Sequence, residues 1–155
     1  MSAVLNCNIT FIGGGNMAQA LIGGLIARGM PTTRITVADP FENVRQLLQE
    51  KDVHVTDDNI AAIEKADIVV LAVKPQVLAS VLKQLHGLLD GKLVISIVAG
   101  ADLATIGALL DTTRIVRVMP NTPALVQTGA HGLYAEANVS AEDRELASQV
   151  LASTG

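Results

Sequence analysis

The chain is poor in the residues on which several kinds of function depend. Cysteine occurs once, at Cys7, which excludes an internal disulfide framework and a cysteine-rich zinc cluster, and no metal site is expected. Tryptophan is absent, and the aromatic set is Phe11, Phe41 and Tyr134, which argues against base-stacking platforms and aromatic sugar sites. Charged residues make up only 17% of the 155, against a usual share of about 25%. With 15 acidic and 11 basic residues the net charge is -4, so there is no electrostatic footprint for nucleic acid. No lysine or arginine precedes Arg28, so the positive region that opens a signal peptide is missing. A spanning helix needs roughly 18 or more apolar residues in a row. Asn6, Asn8, Asn16, Gln19 and the glycines between Gly13 and Gly24 interrupt any such run. These absences lead us to expect no nucleic-acid partner, no membrane insertion and a cytoplasmic location.

What is abundant is aliphatic: hydrophobic residues make up 50% of the chain, enough to exclude intrinsic disorder and to suggest elements buried on both faces. Short apolar runs alternate with helix-length amphipathic segments. Strands are expected at residues 8–12, 34–38, 53–55, 68–73, 93–98, 114–119 and 130–135. Helices are expected at 16–28, 41–50, 59–65, 75–89, 102–110 and 140–152. Gly29 would close the first helix, with Asp102 and Ser140 capping two later ones, while Phe41, Val44, Leu47 and Leu48 would form the apolar stripe of the second helix. Strands separated by single helices imply right-handed crossovers. The expected fold class is therefore α/β: one doubly wound domain, Rossmann-type, around a mostly parallel sheet. Ligands of such sheets sit beyond the carboxyl ends of the strands.

The turn after the first strand reads Gly13-Gly14-Gly15-Asn16-Met17-Ala18, a G-x-G-x-x-A pattern. Gly13 suits a tight strand-to-helix turn, Gly15 leaves no Cβ in the path of a pyrophosphate, and Ala18 lets the helix approach the sheet. Amides at the helix start, assisted by the helix dipole, would face the anion. Asp39 stands at the end of the second strand, where a carboxylate accepts ribose hydroxyls and repels a 2′-phosphate, which favours NAD. Asp39-Pro40 would equally form the turn before the next helix. No G-x-x-x-x-G-K-[ST] pattern is present, which removes phosphoryl transfer.

The fingerprint points to an oxidoreductase, yet no acid–base pair stands out. Tyr134 is followed four residues later by Asn138 rather than lysine, and His54, His86 and His131 adjoin no recognisable partner. Catalytic residues are left unassigned. Reduction of an imine that arrives protonated is compatible with this lack, because no alkoxide has to be protonated.

Four motifs occur in order, each at an expected strand end. They are Phe11-Ile12-Gly13-Gly14-Gly15-Asn16-Met17-Ala18, Ala72-Val73-Lys74-Pro75-Gln76, Ser96-Ile97-Val98-Ala99-Gly100 and Met119-Pro120-Asn121-Thr122-Pro123-Ala124. Together they resemble the amino-terminal half of the pyrroline-5-carboxylate reductases. The resemblance implies reduction of the cyclic imine 1-pyrroline-5-carboxylate to L-proline with NADP or NAD as coenzyme, the last step of proline biosynthesis. It implies that Ile12, Gly13, Gly14, Gly15, Asn16 and Met17 hold the pyrophosphate, with Asp39 and Asn59 at the adenosine end. Ala72, Val73, Lys74 and Pro75 would pass along the nicotinamide ribose, and Ile97, Val98 and Ala99 would line the nicotinamide. Asn121 and Thr122 could contact the carboxamide or substrate, although turn formation explains them as well, and Lys74 could simply face solvent.

Family members that prefer NADPH tend to carry a small hydroxyl residue where Asp39 stands, so use of both coenzymes with improved NADH acceptance is expected. The family also continues into a helical carboxyl-terminal dimerisation domain. Residues 1–155 are therefore expected to be the dinucleotide-binding domain, with little turnover alone and a homo-oligomer as the full-length form. Two alternatives stand beside this reading: another small NAD(P)-dependent dehydrogenase, hydroxyacid or deazaflavin-linked, and a nucleotide-sensing module without chemistry.

Overall fold

A computed structural model of the chain describes residues 6–98, 103–110, 114–120, 131–135 and 140–151. Its strands are β1 (Ile9–Ile12), β2 (Ile35–Ala38), β3 (His54–Thr56), β4 (Ile68–Leu71), β5 (Leu93–Ser96), β6 (Ile115–Pro120) and β7 (His131–Ala135). Its helices are α1 (Asn16–Ala27), α2 (Glu42–Gln49), α3 (Asn59–Ile63), α4 (Pro75–Leu85), α5 (Leu103–Leu110) and α6 (Ala141–Leu151). The strands lie in the order β3-β2-β1-β4-β5-β6-β7. All pairings are parallel except β6 with β7, where Val116 faces Ala135 and Pro120 faces His131. The expected doubly wound, mostly parallel sheet is what forms, with one antiparallel strand at its edge.

Strand alternation divides the core between two faces. Phe11, Val37, Val70, Ile95 and Val116 belong to one cluster with Leu21 and Leu25 of α1, Leu48 of α2 and Val150 of α6. Ile12, Val69, Leu71, Val94 and Ile115 belong to the other, with Ile63 of α3, Leu82 of α4 and Ile106 of α5. All four residues of β1, β4 and β5 are buried, as strands covered on both faces require. Fully burying one such Leu or Ile side chain contributes about 1.5–3 kcal/mol.

Helix boundaries follow local chemistry. In α1 the buried Ala18, Leu21, Ile22 and Leu25 recur at helical spacing. The helix ends in a Schellman motif: Gly29, at φ +101°, donates to Ile26 O, and Met30 N–H reaches back to Leu25 O. Asp58 caps α3 by accepting from Ile60 and Ala61 N–H. Pro75 opens α4, and Ser140 Oγ accepts from Asp143 N–H before α6. The expected cap Asp102 and strand position 130 lie outside the described residues.

Several elements are shorter than their apolar runs. β4 stops at Leu71 and β5 at Ser96, so Ala72, Val73, Ile97 and Val98 lie in the loops that follow. α4 stops at Leu85, not 89, because His86 turns extended and Gly87 takes φ +75°. The second helix corrects the expectation most. It starts at Glu42, and Val44 and Leu48 take its core face, whereas Phe41 precedes it at 63% exposure and Leu47 is 46% exposed.

Candidate dinucleotide-binding site

The strand order reverses between β1 and β4, and the loops after these two strands touch. Gly13 is held at φ +104°, with its N–H donating to Ala38 O at 2.7 Å. A Cβ there would lie 2.7 Å from Ala72 O, so this position needs glycine twice over, for its dihedral and for the approach of the β4 loop. Ala72 N–H in turn donates to Ile12 O at 2.8 Å.

Gly14 is constrained from the opposite side. A Cβ would meet Leu48 Cδ1 at 2.7 Å and Val44 Cγ1 at 2.9 Å, so α2 packs directly onto the turn. The motif treats this position as free; only the tertiary contact shows why a larger residue is excluded. Gly15 differs from both. A Cβ there would find no heavy atom of the described residues within 4 Å, and its φ of -73° suits any residue. Among the described residues nothing requires glycine at this point. No side chain caps α1, and no acidic residue lies in its first turn. The start of α1 is thus an open cradle of main-chain amides, suited in shape and polarity to a diphosphate. Behind it, Gln19 Nε2 donates to Gly14 O at 2.8 Å and braces the turn, a role visible only once the helix is formed.

Asp39 is nearly buried at 8% exposure. Its Oδ2 accepts from Gly14 N–H and its Oδ1 from Phe41 N–H, both at 2.9 Å. Its own N–H donates to Thr56 O, and Arg45 Nη1 donates to its carbonyl. One residue therefore joins the loops after β1, β2 and β3. The turn-forming reading of Asp39 is realised, and the ribose reading survives it, because a carboxylate offers about four acceptor sites and two are taken.

The remaining expected residues are dispersed along the same edge. Ile97 N–H donates to Leu71 O, joining the β5 loop to β4. Val98 is buried at 2% exposure. Its N–H donates to Oγ of the fully buried Ser96 at 3.3 Å. Val73 is half-buried, and Lys74 and Pro75 are exposed at the head of α4. Asn59 begins α3, and its Nδ2 donates to Gln84 Oε1 on α4 at 2.9 Å. Ala99, Asn121 and Thr122 lie outside the described residues. Sequence reading missed Gln19, Arg45 and Asp58. Only Asp58 had a local signal, an aspartate directly before a helix.

His54 and His86 are exposed, which agrees with a surface rather than a catalytic role. Among the described residues, no group of three metal-ligating side chains converges, and no helix is long and apolar enough to cross a membrane.

Residues 8–100 match a protein family described as NADP oxidoreductase, coenzyme F420-dependent. The chain belongs to this family. The matched stretch contains the glycine turn, Asp39, the loop after β4 and the first residues after β5. Over 149 residues the chain is 46% identical to the pyrroline-5-carboxylate reductase of Haemophilus influenzae, covering 95% of this chain and 55% of that one. A solved pyrroline-5-carboxylate reductase from Coxiella burnetii superposes with a TM-score of 0.91 at 41% identity, covering 96% of this chain and 57% of that one. The Plasmodium falciparum pyrroline carboxylate reductase, solved with NADP bound, gives 0.83 at 28% identity and coverages of 97% and 56%. The resemblance carried by the four motifs is therefore borne out. The chain spans about half the length of the relatives it matches.

Proposed function

We propose that this chain is the coenzyme-binding half of an NAD(P)H-dependent reductase that converts 1-pyrroline-5-carboxylate to L-proline. One observation supports it above the rest: Gly15 opens a cradle of uncapped amides at the point where the sheet reverses order. The relatives named for this reaction match that same region at up to 46% identity. A bound reduced nicotinamide coenzyme supplies the hydride that reduces the imine carbon.

The chain's own residues would position the reactants. Gly15, Asn16 and Met17 grip the diphosphate with main-chain N–H groups, while Ile12, Gly13 and Gly14 shape the turn that presents them. Asp39 receives the adenosine ribose, and Asn59 stands one loop beyond. Ala72, Val73, Lys74 and Pro75 would border the nicotinamide ribose, and by the family resemblance Ile97, Val98 and Ala99 would line the nicotinamide. By the same resemblance Asn121 and Thr122 would contact the carboxamide or the substrate. The imine nitrogen carries its proton on arrival, so these residues orient the substrate rather than exchange protons.

Residues 1–155 make up the dinucleotide-binding domain in this reading. A helical carboxyl-terminal domain completes the imine pocket and builds a homo-oligomer that works in the cytoplasm. Both NADP and NAD are used, with Asp39 improving acceptance of NADH. Calorimetric titration with NADH and NADPH, followed by a pyrroline-5-carboxylate assay, tests the proposal; binding of neither coenzyme would contradict it. A deazaflavin-linked dehydrogenase is the second reading, favoured by the description of the matching family. Reduction of NADP by reduced coenzyme F420, without turnover of pyrroline-5-carboxylate, would favour it.

A further inference from the structure

We infer that Phe41 is a stacking wall for the adenine ring, an inference that rests on the dinucleotide reading above. Phe41 is the most exposed large apolar side chain among the described residues, at 63%. It occupies the N-cap of α2, where Ser, Thr, Asp or Asn would accept from first-turn amides, and it makes no such side-chain bond. Neither the core nor the helix uses the ring. A local preference left unmet beside a ligand site points to service of the ligand.

The backbone that carries the ring is fixed on both sides. Phe41 N–H donates to Asp39 Oδ1 at 2.9 Å, and Phe41 O accepts from Arg45 N–H at 3.1 Å. The other Asp39 oxygen accepts from Gly14 N–H in the cradle. The phenyl group is therefore set two residues from the carboxylate that meets the ribose hydroxyls. In adenosine the base is attached to the ribose carbon next to the one bearing the 2′-hydroxyl. A ribose held at Asp39 consequently brings its base within reach of this position. Asp39 N–H also donates to Thr56 O at the end of β3, and in the first turn of the following helix α3 Ile60 is a second exposed apolar side chain at 43%. A flat, uncharged base matches these surfaces, and a π-face accepts it without hydrogen-bond readout.

The test compares the wild-type protein with Phe41→Ala and Phe41→Tyr by calorimetry against NADH and ADP, with the ligand-free unfolding temperature of each. Truncating a stacked aromatic weakens binding by roughly 5- to 150-fold. We expect Phe41→Ala to weaken both ligands by about ten-fold or more within that span. Phe41→Tyr should restore affinity, and all three proteins should unfold at the same temperature. Unchanged affinity of Phe41→Ala for ADP would overturn the inference while leaving the dinucleotide site intact. Retained ADP affinity with lost self-association would assign the ring to a protein contact and overturn it equally. No binding of NADH or ADP by the wild type would remove the dinucleotide reading itself, and this inference with it.

Discussion

The amide of Gly14 donates to Oδ2 of Asp39 at 2.9 Å, across 25 positions of sequence. This bond ties the glycine turn, which we propose faces the diphosphate, to the acid that we propose faces the ribose. The two loops are built as one unit, so disturbing either should disturb the other.

Asp39 therefore has two measurable roles. Asp39→Ala leaves two main-chain donors without their acceptor, at a cost of about 2–4 kcal/mol given what hydrogen bonds to charged groups contribute. Urea unfolding reads that loss. Asp39→Ser keeps a short acceptor and removes the charge, so the ratio of kcat/KM with NADPH to that with NADH should rise. A change from carboxylate to hydroxyl that leaves the coenzyme ratio unaltered would discard the specificity role.

The three glycines should respond differently to the same small change. Gly13→Ala forces a side chain onto φ +104° and into main-chain Ala72 O at 2.7 Å, so a loss of about 3 kcal/mol or failure to fold is expected. Gly14→Ala meets side-chain carbons of Leu48, Val44 and Val37 rather than main chain, so smaller shifts relieve it and about 1–2 kcal/mol should be lost. Thermal or urea denaturation ranks them. Equal losses at both positions would contradict the contacts described.

Much of the fold was legible because burial on both faces imposes aliphatic runs, as at Ile68–Leu71, and because Gly29, Pro75 and Ser140 mark helix ends chemically. The glycine turn was legible for the same reason, a small residue type at each tight place. The rest depended on contacts between distant residues. The need for glycine at position 14 comes from α2, and the partner of Asn59 lies 25 residues on, at Gln84. Phe41 looked like a helix-face residue because its spacing to Val44 and Leu48 fits a helix, yet α2 begins only after it. The seventh strand was legible as an element, but its antiparallel pairing with β6 was beyond a reading based on single-helix crossovers.

Helix α6 is anchored by a two-pronged ion pair, Arg114 Nε and Nη2 to the two oxygens of Asp143 at 2.9 and 2.8 Å. Hydrogen bonding to Asp143 raises the Arg114 pKa above its ordinary value, so the guanidinium stays charged at all practical pH. Asp143→Ala should destabilise the protein by about 2 kcal/mol through lost charged hydrogen bonds. It also frees Ser140 Oγ from no partner, since that bond uses the Asp143 main chain. A change below about 0.5 kcal/mol, the usual span of neutral surface substitutions, would show that the pair does not dock the helix.

Cys7 supplies a pH signature. Burial, and next the charge of Asp67, raise its thiol pKa above the ordinary 9.0, against a smaller opposing effect of Arg34. A pKa raised on folding means that the folded state holds the proton more tightly. Its stabilising contribution is thus complete below pH 9.0 and declines as pH rises through the higher folded value. Iodoacetamide should accordingly label native Cys7 more slowly than the unfolded chain at pH 9, and Cys7→Ser should flatten the alkaline limb of stability. Equal labelling rates in the two states would contradict the shift.

The central claim is tested most directly at Gly15, by calorimetry with NADH on wild type and Gly15→Asp together with the unfolding temperature of each. Aspartate is a favoured N-cap, better than the resident glycine by about a few tenths of a kcal/mol, and no described heavy atom lies within 4 Å of a Cβ at Gly15. The account predicts an unfolding temperature equal to or above that of wild type, with coenzyme binding abolished because the new carboxylate takes the amides and repels the diphosphate. A Gly15→Asp protein that folds normally and still binds NADH as wild type does would contradict it.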